Sequence, residues 1–452
     1  MFPLGATPLP DDSWRFRVWA PKAHRVEVRL LESPARLVPM RSCERGYHEA
    51  IVSDVGPGTR YLYRLDAAVE RPDPASRSQP DGVHGPSEII DTAFEWHDQA
   101  WRGLSLAECV FYEIHVGTFT PAGDFAAVES WLDELAATGV TALEIMPVAQ
   151  FPGSRNWGYD GVFPFAVQNS YGGPAGFQRL VDACHTRGLA VVLDVVYNHL
   201  GPEGNYLGDF GHYFTSRYGT PWGDALNFDG PHSDEVRSFF VQNALHWVRD
   251  YHVDALRVDA IHGIFDCSAA SFLAQLRRAV HDEAASLGRE LYVIAESDLN
   301  DPRVVLAPSR GGLGFDAQWS DDFHHALHAL LTGERAGYYQ DFGRIEHLGR
   351  AFENGFVYTG QFSRYRERSH GADAGEVEPR RFVVCAQNHD QVGNRRGGER
   401  LAALVPFEAL KLAAGAVLLS ANLPLLFMGE EYGETAPFLY FVSYSDADLA
   451  QA

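Results

Sequence analysis

Positive charge is what this 452-residue chain has least of: Lys and Arg number 37 against 60 Asp and Glu, a formal net charge of −23. Such a surface repels phosphate backbones and anionic lipid, so no nucleic-acid partner and no membrane partner is expected, while a neutral ligand is unaffected. Cysteine is sparse as well. Cys43, Cys109, Cys184, Cys267 and Cys385 are odd in number, scattered and without a CxxC pair, which argues against a disulfide framework or a zinc site and for a reducing cytoplasm. The start, MFPLGATPLPDDSW, lacks a basic stretch followed by an apolar run, so no secretory signal is expected. Long hydrophobic runs are missing too. The most apolar stretch, Leu410 to Met428, is interrupted by Lys411, Ser420, Asn422 and Pro424, and reads as a buried helix followed by a buried strand. What remains, 46% hydrophobic and 21% charged residues, is an ordinary globular balance.

The length suits one large catalytic body with an accessory module. Residues 1–70 read as a β-sandwich: Trp14, Phe16 and Val18, then Val26, Val28 and Leu30, alternate with polar neighbours at the period of a half-buried strand. Residues 71–104, opening with RPDPASRSQPDGVHGPS, read as a linker or an ordered surface crossing. From residue 105 short apolar strands alternate with amphipathic helices. Strands are expected at Val110–Ile114, Thr141–Met146, Leu189–Val196, Val253–Val258, Leu291–Ala295, Phe382–Ala386 and Leu423–Phe427, with a weaker one near Phe315–Trp319. One helix is expected along Phe125, Val128, Leu132 and Leu135, and others along Phe177 to Cys184, Val236 to Tyr251 and Phe272 to Val280. Eight repeated strand–helix units indicate a (β/α)₈ TIM barrel over residues 105–452, with an open doubly wound sheet as the competing arrangement. The long stretch 197–232, rich in Gly, Asn, Asp and Tyr, is expected to be an inserted loop subdomain on the C-terminal rim, where barrel chemistry sits.

Polar residues gather where these strands end. LDVVYNH brings Asp194, Asn198 and His199, ALRVDAIH brings Arg257, Asp259 and His262, VIAES brings Glu296, and CAQNHD brings Asn388, His389 and Asp390. Arg257 and Asp259 are two apart on a strand and share a face, so a cation stands beside Asp259 and favours its ionised form. Glu296 follows an apolar strand, and partial burial there raises a carboxyl pKa towards that of a proton donor. One ionised and one protonated carboxyl fit glycoside hydrolysis, with retention if they lie roughly 5–5.5 Å apart. Solvated rim residues or mouth salt bridges are the plainer explanation for any one site, but a poor one for four sites at one end of the barrel.

DVVYNH, LRVDAIH, AES and NHD, in this order, resemble the four sequence regions of the α-amylase superfamily of retaining α-glucan enzymes. The resemblance implies Asp259 as nucleophile, Glu296 as general acid/base and Asp390 as a third carboxylate that stabilises the transition state. It also implies that Arg257, His199 and His389 contact the nucleophile or the sugar before the cleaved bond. NWGYDGV adds Tyr159 as a stacking platform for that sugar, with Trp157 beside it as a further substrate-binding candidate. Within the superfamily the chain is most similar to the maltooligosyltrehalose trehalohydrolases, through EIHVGTFTPAG from Glu113, TPWGDALNFDG from Thr220, QWSDDFHHALH from Gln318, AQNHDQVGNR from Ala386 and LLFMGEEYGE from Leu425. That similarity implies hydrolysis of the α-1,4 bond next to the terminal trehalose unit of maltooligosyltrehalose, made upstream by a maltooligosyltrehalose synthase, and an N-terminal module of the starch- and glycogen-associated kind.

The resemblance also implies a last barrel helix and a C-terminal β-domain after the eighth strand, for which the closing SYSDADLAQA is too short. No cofactor and no metal are expected. Asn198 matches a calcium-binding position of many α-amylases, but calcium needs six or more oxygens. Asp322, His324, His325 and His328 are expected at a capped, solvated helix start, with a sugar-facing rim as the alternative, rather than at a metal site. Trp157, Trp222 and Phe228 are aromatic candidates on rim loops, whereas Trp14 and Trp19 are expected to be buried, and Glu430 and Glu431 to be structural. Two rival functions remain: a glycogen branching enzyme of the same superfamily, and a non-catalytic α-glucan-binding protein.

Overall fold

The computed structural model describes residues 3–91 and 93–451, so Met1, Phe2, Thr92 and Ala452, which the expected ranges include, lie outside the described residues. Eight parallel strands close into a barrel: β1 (Phe111–Ile114), β2 (Ala142–Ile145), β3 (Ala190–Val195), β4 (Ala255–Val258), β5 (Tyr292–Ala295), β6 (Ala317–Trp319), β7 (Phe382–Cys385) and β8 (Leu423–Phe427), with β8 pairing back onto β1. All eight expected strands are present, and the open sheet is excluded by the closure. Every residue of β1, β2, β3 and β4 is buried, as parallel strands covered on both faces must be.

The helices between the strands are set by local signals. Gly173–Thr186 buries its Phe177, Leu180, Val181 and Cys184 stripe and gives way to Gly188 at φ +74°, a conformation that favours glycine. Phe272–Leu287 begins at Ser271, whose Oγ accepts from the Ala274 N–H, and Asp321–Thr332 begins at Ser320 in the same manner, accepting from Phe323. Two expectations fail. The helix foreseen along Phe125 to Leu135 is split into Phe125–Glu129 and Leu132–Ala137. At the break the Ser130 hydroxyl donates to the Ala127 carbonyl, and Trp131 stays 45% exposed. The helix foreseen as buried, observed at Phe407–Leu418, buries only Ala413 and Val417, while Phe407 and Leu412 lie exposed. Only one of its faces meets the barrel.

The N-terminal module pairs two antiparallel sheets. One runs in the order Gly5–Pro8, Trp14–Trp19, Tyr47–Val52, Arg41–Ser42, and the other contains Arg36–Pro39, Val26–Leu30, Arg60–Leu65, Val69–Arg71 and Ser87–Glu88. Phe16, Val18, Val28, Leu30, Tyr61 and Tyr63 fill the space between, and Trp14 and Trp19 are buried. The Pro/Ser/Gly-rich segment is ordered: Asp73 is fully buried, accepting from Tyr61 Oη at 2.7 Å and the Ala75 N–H at 2.8 Å, and Ser76, Gln79 and Ser87 are buried around it. The module grips the loop after β3. Trp19 meets Tyr213 and Tyr63 meets Phe210 edge-on, and Arg71 pairs with Asp209 at 2.6 Å. That loop carries a short helix, Leu207–Phe210, and a hairpin, Phe214–Thr220 with Gly223–Leu226.

The N-terminal end of the barrel is closed by a buried polar knot. Asp254 accepts from His185 Nε2 at 2.9 Å, from Trp101 Nε1, Arg289 Nη2 and the Val191 N–H at 2.8 Å, and His185 Nδ1 lies 2.8 Å from Asp98. Replacing Asp254 by Ala strands the His185, Trp101 and Val191 donors and leaves Arg289 Nη2 with only the His252 carbonyl, so a loss of about 3–5 kcal/mol in unfolding free energy is expected. Urea unfolding with product assays on the folded fraction checks it: stability falls while activity per folded molecule stays unchanged. Among the described residues no helix is long and apolar enough to cross a membrane.

Candidate active site

Alternation along the strands divides the barrel interior into layers. Phe111, Ala142, Val192, Ala255, Ile294 and Leu425 belong to one apolar interior cluster. Two residues on towards the C-terminal end, the same face carries Glu113, Glu144, Asp194, Arg257 and Glu296. Register places Glu113 beside Glu144 and Asp194 beside Arg257. Arg257 is fully buried over the Trp319 ring at 4.4 Å. Its Nη1 donates to Asp194 Oδ1 and Oδ2 at 3.0 and 2.9 Å and to Asp259 Oδ1 at 2.7 Å, and its Nη2 lies 3.9 Å from Glu296 Oε2.

The guanidinium thus binds two of the three candidate carboxyls to one centre. Asp259 receives a second bond, from Asn198 Nδ2 to Oδ2 at 2.6 Å, so both its oxygens are held by donors. Glu296 has no such pair. One oxygen accepts from the Ala260 N–H at 2.5 Å, and burial pushes its pKa well above the usual carboxylate range, Arg257 opposing and Asp259, Asp321 and Asp390 reinforcing the rise. Asp390 stands at the first turn of the short helix His389–Gly393, capped by Asn388, and its side chain remains 42% exposed against 13% for Asp259 and Glu296. A carboxyl with both oxygens held by donors, a buried carboxyl whose pKa is raised and a more open third acid therefore meet at the rim.

Beneath them runs a chain of hydrogen bonds. Glu113 holds His389 by Oε1 to Nδ1 at 2.5 Å and Oε2 to the backbone N–H at 2.9 Å. His389 Nε2 lies 2.7 Å from Tyr159 Oη, which donates to Asp194 Oδ2 at 2.6 Å. Tyr159 is half-buried, its ring stacked on His389 at 5.2 Å. Burial works against a charge on His389, but Glu113 and Asp390 overcome it and lift its pKa to about 9. Burial raises Asp194 to about 6, with Arg257 opposing.

Two of the expected substrate-binding residues, Trp157 and His199, are engaged within the protein. Trp157 is 2% exposed, stacked on Phe438 at 5.3 Å with Nε1 donating to the Leu439 carbonyl, so it backs His389 and Tyr159 instead of facing a sugar. His199 has both nitrogens engaged, Nδ1 by Asn198 Oδ1 and Nε2 by the Tyr159 carbonyl at 2.9 Å. Its ring is covered at 3.7 Å by Trp222, which is itself 49% exposed and presents the aromatic surface on that side. Phe228 is buried against Phe272.

Sequence reasoning passed over Asp321, a fourth acid near the centre. Burial first, then Asp390 and Asp298, raise it to about 7. The expectation of a solvated helix start is also overturned. Asp322 is buried, accepting from Asn300 Nδ2 and from the Val357 and Tyr358 N–H groups, and His324, His325 and His328 are buried against Tyr338 and Tyr339. Asn198, the calcium-like position, spends its amide on Asp259. Glu431 accepts from Tyr112 Oη, and Glu430 from the Phe427 N–H.

The family described as alpha amylase, catalytic domain, matches residues 72–220, and that described as carbohydrate-binding module 48 (isoamylase N-terminal domain) matches residues 3–76. The malto-oligosyltrehalose trehalohydrolase of Saccharolobus solfataricus is 50% identical over 443 residues, covering 98% of this chain and 78% of the relative. A crystal structure from Salmonella typhimurium, assigned as an alpha amylase, superposes with a TM-score of 0.93 at 41% identity, covering 100% of this chain and 76% of that one. The 1,4-alpha-glucan branching enzyme of Burkholderia vietnamiensis is more distant: 29% identical, covering 97% of this chain and 64% of the relative.

Proposed function

The chain belongs to the malto-oligosyltrehalose trehalohydrolase family of α-amylase-type glycoside hydrolases, and from that membership we propose how its rim carboxyls release trehalose from maltooligosyltrehalose. Asp259 attacks the anomeric carbon of the glucose that precedes the terminal trehalose unit, while Glu296 gives its proton to the departing oxygen. Free trehalose leaves and the glucan stays linked to Asp259. Glu296, now a carboxylate, takes a proton from water, the hydroxide attacks the same carbon, and a maltooligosaccharide of retained configuration leaves. Asp390 stabilises the positive charge that develops on the sugar ring. Arg257 orients Asp259, Tyr159 supplies an apolar ring face for the sugar, and His389 orients Tyr159.

The observation that carries this reading is the contrast between two carboxyls around one guanidinium: Asp259, bonded to Arg257 and Asn198, and Glu296, whose pKa burial raises. Residues 1–70 act as a glycan-associated module, 71–104 as its connection and 105–452 as the catalytic barrel. The substrate comes from a maltooligosyltrehalose synthase, and the five free cysteines favour a reducing cytoplasm.

Chromatography of products from a maltooligosyltrehalose and from an ordinary maltooligosaccharide of matching length tests it. Free trehalose from the first, with slow or no attack on the second, is expected. New α-1,6 branches without trehalose would establish a branching enzyme instead, and binding without cleavage a glucan-binding protein.

A further inference from the structure

Glu113 and Glu144 are carboxyls set into otherwise apolar strands, FYEI and ALEI, in register and within the barrel. Neither enters the reaction as described above. Glu144 has an unpartnered buried oxygen, and burial with Glu113 beside it holds its pKa well above the usual range, which favours its neutral form. Glu113 bonds to His389 twice, through Nδ1 and through the backbone N–H.

We propose that Glu113 is a positioning residue of the reaction, which holds His389 as an imidazolium so that Nε2–H fixes Tyr159 behind the sugar. This rests on the reading of the site given above. Hydrogen-bond accounting supports it. Tyr159 Oη has one proton and gives it to Asp194, an acceptor already bonded to Arg257, so it must receive the proton of His389 Nε2. His389 Nδ1 faces the Glu113 carboxylate, another acceptor. Both ring nitrogens therefore carry hydrogens.

The charged and titratable groups around His389 agree. Glu113 comes from β1, Glu144, whose neutral form burial favours, from β2, Asp194 from β3, Arg257 from β4 and Asp390 from the turn after β7. His115, after β1, is pushed by burial down to about 4 and is neutral. Arg257 opposes the imidazolium but is already paired with Asp194 and Asp259, which leaves Glu113 as the carboxylate in direct contact with Nδ1.

The sign of the effect follows. A histidine whose folded pKa is raised keeps its proton until the pH climbs through that value, here about 9. In Glu113→Gln the amide oxygen still accepts from Nδ1–H, but the charge that offsets burial is gone, so the proton leaves at lower pH. The KM of Glu113→Gln, divided by that of the wild type, is expected to rise by about tenfold between pH 6 and 8, with kcat changing less. A ratio constant across pH would mean a structural role only and would overturn the proposal.

Nitrogen NMR of the wild-type His389 ring keeps the test open if the variant does not fold. Two protonated nitrogens at pH 7.5 are expected, and a single tautomeric proton would sink the idea. Because that signal does not depend on turnover, an inactive wild type showing an imidazolium would reject the proposed function and leave the Glu113–His389 pairing intact.

Discussion

Asp259→Asn is expected to lower kcat by at least about three orders of magnitude while circular dichroism and thermal unfolding stay close to wild type. The loss is chemical: an amide cannot form the glycosyl ester. The fold survives because Arg257, fully buried, keeps its two bonds to Asp194, so no cation is stranded. The amide's single oxygen can accept from Arg257 Nη1 as Oδ1 does now, while Asn198 Nδ2 keeps its bond to the backbone carbonyl of residue 259. Turnover within tenfold of wild type would remove Asp259 from the covalent step. A variant that loses both turnover and folding would instead identify Asp259 as a structural partner of Arg257.

Glu296→Gln separates the acid from the nucleophile. Proton donation by a positioned carboxyl contributes about 10²–10⁴-fold, and a loss of that size is expected with maltooligosyltrehalose. A sugar is a poor leaving group and needs the proton. An α-glucoside with a nitrophenyl leaving group does not, so its glycosylation step is expected to fall far less. The pH profile should change as well. Glu296 must be protonated for the first step, and burial raises its pKa, so wild-type kcat/KM falls as the pH rises through that raised value. The variant has no proton to lose there, and its residual activity is expected to be flat across the same range. An equal loss for both leaving groups, with the alkaline limb unmoved, would assign the proton to another group, Asp321 being the next buried acid.

The barrel was legible because parallel strands buried on both faces are short, continuous apolar runs, and eight such runs alternated with helical stripes. The three candidate carboxyls stood out for a related reason: Asp259 and Glu296 directly follow apolar strands at the end where a barrel opens, and Asp390 lies in the turn and short helix after β7. Partners far apart in the chain were not. Nothing local shows that Glu113 reaches His389, 276 residues away, or that Trp157 turns its ring under Phe438. The available signal for Glu113 and Glu144 was a charge inside an apolar strand, which a single exposed face would also explain until closure removes the exposed side. Sequence marks the chemistry of His199 but not which of its nitrogens the protein itself engages. Helix Phe407–Leu418 misled because an apolar composition does not say how many of its faces find a partner.

Proton NMR of the first minutes of maltooligosyltrehalose hydrolysis tests most directly that Asp259 and Glu296 act as a retaining pair on the trehalose-linked bond. The expected result is free trehalose, released one-to-one with a new reducing end that appears first as the α-anomer and then mutarotates. A new reducing end appearing first as the β-anomer, or one formed without trehalose, would contradict it.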